Sequence, residues 1–274
     1  MSRRIEKAAV LGAGIMGSGI AAHLANCGVK AYLLDIVPPE LTPADKKAGL
    51  DEKSPAWRNR FSTTGLANAV KNRKPIPAFY HDRFAEQVTC GNLEDNLEWL
   101  RECDWVVEVV IENLDIKRKL FEKIEKFVRP DAVVSSNTSG LPIKDMIGGR
   151  GDAFRRNFLV THFFNPVRFM RLLEIVPGAD TDPEIVSFMA DFGTNVLGKG
   201  VVYGKDTTNF VGNRIGVYGL IRTIKEMLDG GYTIEEADAI LGEPTGRPKT
   251  GVFRLVDMVG LDTVVHILKN CYDT

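Results

Sequence analysis

Two periods alternate along the first thirty-five residues. Residues 5–11 (IEKAAVL) form an apolar run of strand length, and Ile15 to Cys27 reads as a helix that stops at Gly28, a residue suited to a left-handed cap. Lys30 to Asp35 (KAYLLD) reads as a second strand, so the chain opens on a strand–helix–strand unit. Residues 37–80 are polar and punctuated by Pro38, Pro39, Pro43, Pro55, Pro75 and Pro77, with a helix predicted over Trp57 to Lys71. This stretch is expected to run over the surface rather than to link domains. Strand signal resumes at 87–90, and 105–111 (WVVEVVI) is a β-branched run fit for a central parallel strand. Further strands are predicted at 132–135, 157–164, 171–176 and 200–204. A helix is predicted over 114–128, where Leu114, Ile116, Leu120, Phe121, Ile124 and Phe127 keep helical spacing. Strands alternating with helices predict a doubly wound α/β sheet. After Lys205 only helical patterns remain, at 209–229, 233–241 and 253–268. The expected division is a sheet domain over 1–204 and an all-helical domain over 205–274.

The turn after the first strand reads Gly12-Ala13-Gly14-Ile15-Met16-Gly17, a GxGxxG pattern. Its context gives it weight: it follows a strand and opens a helix. Gly12 permits the tight turn, Gly14 lets backbone approach a pyrophosphate, and Gly17 lets the helix pack on the strand. The helix N-terminus faces the anion. Asp35 ends the second strand, where a carboxylate accepts from adenosine ribose hydroxyls and repels a 2′-phosphate. A Rossmann-type domain that binds NAD through Gly12, Gly14, Ile15, Met16, Gly17 and Asp35 is therefore expected. An ordinary strand–helix turn and a loop-edge carboxylate are the alternatives.

Composition narrows the field by exclusion. A formal net charge of −1 gives no electrostatic reason to expect a nucleic-acid or membrane partner. The apolar run at 105–111 contains Glu108 and is too short to span a bilayer. Cys27, Cys90, Cys103 and Cys271 have no CxxC spacing, so no metal site is expected, and free thiols in a cytoplasmic protein are.

His162 lies in the strand at 157–164 and Glu174 in the strand at 171–176. An antiparallel hairpin turning near Arg168 would put these two residues opposite each other on one face. A carboxylate beside an imidazole fixes its tautomer, which makes a general acid/base pair able to take a hydroxyl proton. A buried structural histidine is the alternative, and His23, His81 and His266 are assigned that reading. Two polar clusters follow strands, where a doubly wound sheet puts its ligands. One is Ser136-Asn137-Thr138-Ser139. The other is Glu112-Asn113 with Lys117 one helical turn on. Helix capping competes for Ser136 and Thr138, and a solvated helix face competes for Lys117.

Taken in order, GxGxxG with Asp35, Glu112-Asn113 with Lys117, SNTS at 136–139, HFFNP at 162–166 with Glu174, and Asn213-Arg214 resemble the 3-hydroxyacyl-CoA dehydrogenase family from residue 6 to the end of the chain. The resemblance implies an NAD-dependent oxidoreductase acting on an acyl-CoA in fatty acid β-oxidation. His162 would be the catalytic base and Glu174 its orienting partner. Ser139 and Asn213 would contact the reacting oxygen, and Glu112, Lys117 and Asn137 would line the nicotinamide-ribose region. Gly140, Arg168 and Gly212 depart from short family members and, with residues 246–262, look more like long bacterial fusions that carry an enoyl-CoA hydratase module. A fragment of such a protein, with a helical domain that is partial and forms a homodimer in the family, is the expectation. A gulonate-type sugar-acid dehydrogenase and a nucleotide-binding module without turnover are the competing functions.

Overall fold

The structure is a computed structural model that describes residues 3–72 and 76–273; the side chains of His266 and Cys271 lie outside the described residues. The chain divides into two compact units, Met1–Asp206 and Thr207–Thr274.

The first unit is built on one eight-stranded sheet. Its strands are β1 (Lys7–Leu11), β2 (Lys30–Asp35), β3 (Val88–Asn92), β4 (Trp105–Glu108), β5 (Val133–Ser136), β6 (Phe158–Phe163), β7 (Leu172–Pro177) and β8 (Gly200–Tyr203). Their spatial order is β3-β2-β1-β4-β5-β6-β7-β8. Neighbours from β3 to β6 pair parallel, β6 and β7 antiparallel, and β7 and β8 parallel. The order reverses at β1 and β4, and a doubly wound sheet opens its ligand crevice beyond the strand ends at such a point. The strands are apolar because both faces are covered: Val10, Leu33, Trp105, Val107, Val133, Leu159 and Ile175 are all buried. Polar residues inside them pair sideways. Trp105 Nε1 donates to Ser135 Oγ at 2.9 Å, and Ser135 meets Thr161 Oγ1 at 2.8 Å. This chain of hydrogen bonds crosses β4, β5 and β6.

The helices of this unit are α1 (Ile15–Asn26), α2 (Pro43–Lys47), α3 (Pro55–Arg58), α4 (Arg60–Lys71), α5 (Leu114–Ile124), α6 (Ile143–Ile147), α7 (Asp152–Arg156) and α8 (Pro183–Asp191). Gly28, at φ 80°, follows the end of α1. The excursion before β3 does carry a helix, but it breaks at Asn59 into α3 and α4. Arg60 of α4 pairs with Asp45 of α2, which ties the excursion together.

Two predicted elements are shorter than expected. The strand at 105–111 leaves the ladder after Glu108, although Val109, Val110 and Ile111 continue its apolar character. There the chain turns over the ligand end of the sheet: Val109 N–H still reaches Leu11 O at 2.7 Å, whereas Val110 N–H is taken by the Glu108 side chain. The helix over 114–128 ends at Ile124.

The second unit contains α9 (Gly212–Gly230), α10 (Ile234–Ile240), α11 (Phe253–Val259) and α12 (Leu261–Asp273). The single helix expected over 253–268 is thus two, divided at Gly260, whose φ of 101° no right-handed helix accommodates. Asp238 of α10 accepts the backbone N–H groups of Val252, Phe253 and Arg254 at 2.6–2.9 Å and so caps α11. No helix among the described residues is long and apolar enough to cross a membrane.

His23 of α1 is buried, as its assigned structural role requires. Its Nε2 meets Leu197 O at 2.9 Å, while Nδ1 has no partner among the described residues. Burial, reinforced by the nearby Lys199 ammonium, pushes the imidazole down to about 4. Lys199 is buried too and donates to Val167 O and Met170 O, both within the connection between β6 and β7. His23 is therefore neutral when folded and titrates near 6.5 when unfolded. Between those values the unfolded chain binds the extra proton, so stability is full above pH 6.5 and declines as pH falls toward 4. The span is worth about 3 kcal/mol. His23→Gln keeps a donor for Leu197 and cannot titrate. Its unfolding free energy, measured by urea denaturation, is expected to fall less steeply over this pH range than that of the wild type. Parallel slopes would show that His23 does not carry the effect.

Candidate active site

The Gly-rich turn joins β1 to α1 at the point where the strand order reverses. Gly12 has φ 108°, and a Cβ added there would lie 2.5 Å from Val109 O, so β1 and the exit of β4 approach too closely for any side chain. A Cβ on Gly17 would lie 1.8 Å from Gly12 O, which forces glycine where α1 packs on the turn. Gly14 differs: a Cβ there meets nothing within 4 Å. Its glycine is not demanded by the protein's own packing. Gly14 is the N-cap of α1, makes no side-chain capping bond, and is followed by a first turn with no acidic residue. Ile15 is 80% exposed beside it and Met16 is half-buried. Open space over unsatisfied helix N–H groups is the cradle that a pyrophosphate requires, so these residues fit NAD.

Asp35 stands at the end of β2, level with this turn. Its Oδ2 accepts Ala13 N–H at 2.6 Å and its Oδ1 accepts Ile36 N–H at 2.7 Å. The carboxylate thus braces the Gly-rich turn from below. Each oxygen retains further acceptor capacity for a ribose hydroxyl.

On the other side of the reversal, β6 and β7 form the expected antiparallel hairpin, with His162 directly opposite Glu174. Both side chains are buried. His162 Nδ1 lies 2.6 Å from Glu174 Oε2. A carboxylate only accepts, so Nδ1 carries the proton and Nε2 of the neutral ring is the acceptor. Ser139 Oγ reaches that nitrogen at 3.3 Å, and the Phe164 ring lies against the imidazole at 4.5 Å between centroids. The turn of the hairpin is held by Lys199 and by Arg168, whose guanidinium donates to Phe79 O and covers the Tyr80 ring.

The loop after β5 ties these parts together. Asn137 N–H donates to Glu108 O at the end of β4, and Asn137 Oδ1 accepts Phe163 N–H of β6 at 2.9 Å. Thr138 and Ser136 do not cap a regular helix. Thr138 Oγ1 donates to Glu112 at 2.5 Å and accepts the N–H groups of Gly140 and Leu141. Glu112 Oε1 also accepts Ser139 N–H at 2.9 Å. Glu112 therefore fixes the backbone of the residue whose hydroxyl faces His162.

Lys117 is not on a solvated helix face. Its side chain is 1% exposed and Nζ lies 2.7 and 2.9 Å from the two oxygens of Glu108 and 3.2 Å from Glu112. Glu108, fully buried at the end of β4, is the residue that sequence reasoning missed. Burial pushes its carboxyl up, and the Lys117 ammonium opposes that push. The signal for it was present: one acid in a β-branched run must find a partner or stay neutral. Asn213 is the second residue of α9, in the opening turn rather than in the helix interior.

Residues 7–207 match the family model for the 3-hydroxyacyl-CoA dehydrogenase NAD binding domain, and residues 210–274 match the model for its C-terminal domain. The chain belongs to the 3-hydroxyacyl-CoA dehydrogenase family. A probable 3-hydroxyacyl-CoA dehydrogenase of Bacillus subtilis is 52% identical over 273 residues, which is 100% of this chain and 34% of that protein. The chain thus spans about a third of the length of that family member. A Deinococcus radiodurans protein of the same description is 44% identical over 96% of this chain and 72% of its own length. A putative fatty acid oxidation complex trifunctional enzyme of Rickettsia felis is 37% identical, covering 96% of this chain and 34% of itself. Among solved family structures, M. tuberculosis FadB2 superposes with a TM-score of 0.75 at 31% identity, covering 98% of this chain and 87% of that one.

The second and third glycines of the motif separate binding from packing. Gly17→Ala is expected to destabilise the fold by about 3 kcal/mol or more, because backbone must move to admit the Cβ. Gly14→Ala, with open space around it, is expected to stay within about 1 kcal/mol of wild-type stability yet to bind NAD about tenfold more weakly. Thermal melts and cofactor titration read the two effects. Wild-type NAD affinity in Gly14→Ala would show that no ligand occupies this space.

Proposed function

We propose that this chain oxidises the 3-hydroxyl of an (S)-3-hydroxyacyl-CoA to the ketone as part of fatty acid β-oxidation, acting in the cytoplasm. The observation that carries the reading is the His162–Glu174 pair, set in a buried hairpin with the Ser139 hydroxyl at Nε2 of the imidazole. Bound NAD supplies the chemistry the protein lacks, accepting a hydride from C3. The residues supply the rest. His162 Nε2 takes the hydroxyl proton. Glu174 holds the ring in the tautomer that makes Nε2 the acceptor and stabilises the imidazolium that forms. Ser139, already donating toward Nε2, shares the reacting oxygen. Asp35 reads the ribose, and Gly12, Gly14, Ile15, Met16 and Gly17 receive the pyrophosphate. Glu112, Lys117 and Asn137 shape the nicotinamide-ribose side. Residues 1–204 would act as the NAD-binding domain and 205–274 as a helical domain that contributes to dimerisation. The matches to putative fatty acid oxidation complex trifunctional enzymes support a place in that process; a fused hydratase module is what the family resemblance implies.

NADH formation from 3-hydroxybutyryl-CoA, with gulonate as the control substrate, tests the reaction. His162→Gln is expected to lower kcat by roughly 10²–10⁴ while NAD still binds. Unchanged turnover would remove His162 from the chemistry. Asp35→Ala is expected to reduce the preference for NAD over NADP by relieving repulsion of a 2′-phosphate, and an unchanged ratio of the two affinities would contradict the ribose role.

A further inference from the structure

Glu108 makes four contacts that no other side chain of the site could make together. Its Oε1 accepts Val110 N–H at 2.7 Å and Lys117 Nζ at 2.7 Å; its Oε2 accepts Lys117 Nζ at 2.9 Å and Ser136 Oγ at 2.5 Å. One carboxylate thereby joins the exit of β4, the end of β5 and the first turns of α5. Two charges so deeply buried are costly to desolvate, and a fold seeking only stability does as well with apolar residues of the same volume. What the pair achieves that apolar residues cannot is direction. Lys117, pinned on one side by Glu108, presents its ammonium to Glu112 at 3.2 Å. Glu112 in turn holds Ser139 N–H and Thr138 Oγ1. Ser139 Oγ then meets His162 Nε2. The series runs from Glu108 through Lys117, Glu112 and Ser139 to His162, each link a hydrogen bond or ion pair.

We infer that Glu108 is a positioning residue for the reacting centre: through Lys117 and Glu112 it fixes the Ser139 loop against the His162 imidazole. It touches neither substrate nor cofactor. The inference rests on the reading of Ser139 and His162 given above, and its effect is one of geometry. A displacement of the order of 1 Å in a reacting group is enough to cost up to about a hundredfold in rate.

Glu108→Gln alone leaves a buried ammonium short of one partner and is expected to destabilise the fold. The decisive variant is the double substitution Glu108→Gln, Lys117→Met. Gln keeps an acceptor for Val110 N–H, Met fills the volume of the lysine stem, and no unpaired buried cation remains. The double variant is expected to melt within a few degrees of the wild type. Its kcat with 3-hydroxybutyryl-CoA is expected to be at least tenfold lower, with KM for the acyl-CoA changed less than threefold. Hydrogen exchange of the free protein, without cofactor or substrate, is the independent readout. The amides of residues 137–141 are expected to lose protection in the double variant, while those of β6 keep it. Lys117 also shapes the nicotinamide-ribose side, so the exchange measurement decides: a double variant with wild-type protection at 137–141, whatever its kcat, would overturn the proposal and leave the pair a packing feature. Should the wild type fail to oxidise any 3-hydroxyacyl-CoA, the proposed function falls, and the exchange measurement still decides whether Glu108 holds the loop.

Discussion

A single register, His162 opposite Glu174 across an antiparallel strand pair, sets up the chemistry of this protein. In a pleated ribbon, opposed residues project to the same face, and a slip of one position sends one of them to the other face. Here the slip would cost both the reaction and the fold, because it would bury an unpaired carboxylate. The register is defended from several directions. Leu159, Val160, Phe163, Leu173, Ile175 and Val176 are buried along the same two strands, and Lys199 holds the connecting turn through Val167 O and Met170 O. Arg168 fastens the turn to the segment at 79–80. The apolar strands supply the energy of that arrangement and the buried cation supplies its uniqueness.

The rest of the site hangs on the ends of the strands. Parallel strands β1, β4, β5 and β6 all finish at one edge of the sheet, so Gly12, Glu108, Ser136 and His162 are neighbours in space through topology rather than sequence. Polar groups collect at this edge because backbone leaving a ladder needs new partners. Asp35 supplies one to Ala13, Glu108 to Val110, Glu112 to Ser139 and Asn137 to Phe163. The same side chains that satisfy the loops also hold them still, so local hydrogen-bond satisfaction and preorganisation of the site are one design.

Much of this was legible along the chain, and the parts that were not have physical reasons. Most of the eight strands could be read because they are short apolar runs bounded by turn residues, β3 (VTCGN) being the weakest signal, and the hairpin register followed from the midpoint between two polar residues. The length of β4 could not be read, because Val109 to Ile111 keep the strand's apolar character past the end of the ladder: Val109 still packs against the core, whereas Ile111 is exposed. Helices α6 and α7 have five residues each and carry too little periodicity to register. α8 had a readable start in Asp182-Pro183, a capping residue followed by proline at the first helical position. Gly260 marks the break between α11 and α12, but the helical apolar pattern continues across it and hides the break. Lys117 was weighed against a solvated face, yet it falls on the stripe of Leu120, Phe121 and Ile124, the buried side of α5. A lysine on that stripe, nine residues after an acid in a buried strand, is a pair signal readable only when both positions are considered together. Asn213 carries no local signature at all, since an amide in the opening turn of a helix is an ordinary occurrence.

The central claim is that Glu174 commits His162 to one tautomer, with the proton on Nδ1 and an acceptor lone pair on Nε2. Nitrogen-15 NMR of the imidazole in the free protein, above the pH at which the ring is charged, reads this directly. The account requires a protonated Nδ1 with a hydrogen-bonded, downfield-shifted proton that vanishes in Glu174→Leu, and an unprotonated Nε2. A proton resident on Nε2, or an Nδ1 resonance indifferent to the residue at 174, would contradict it.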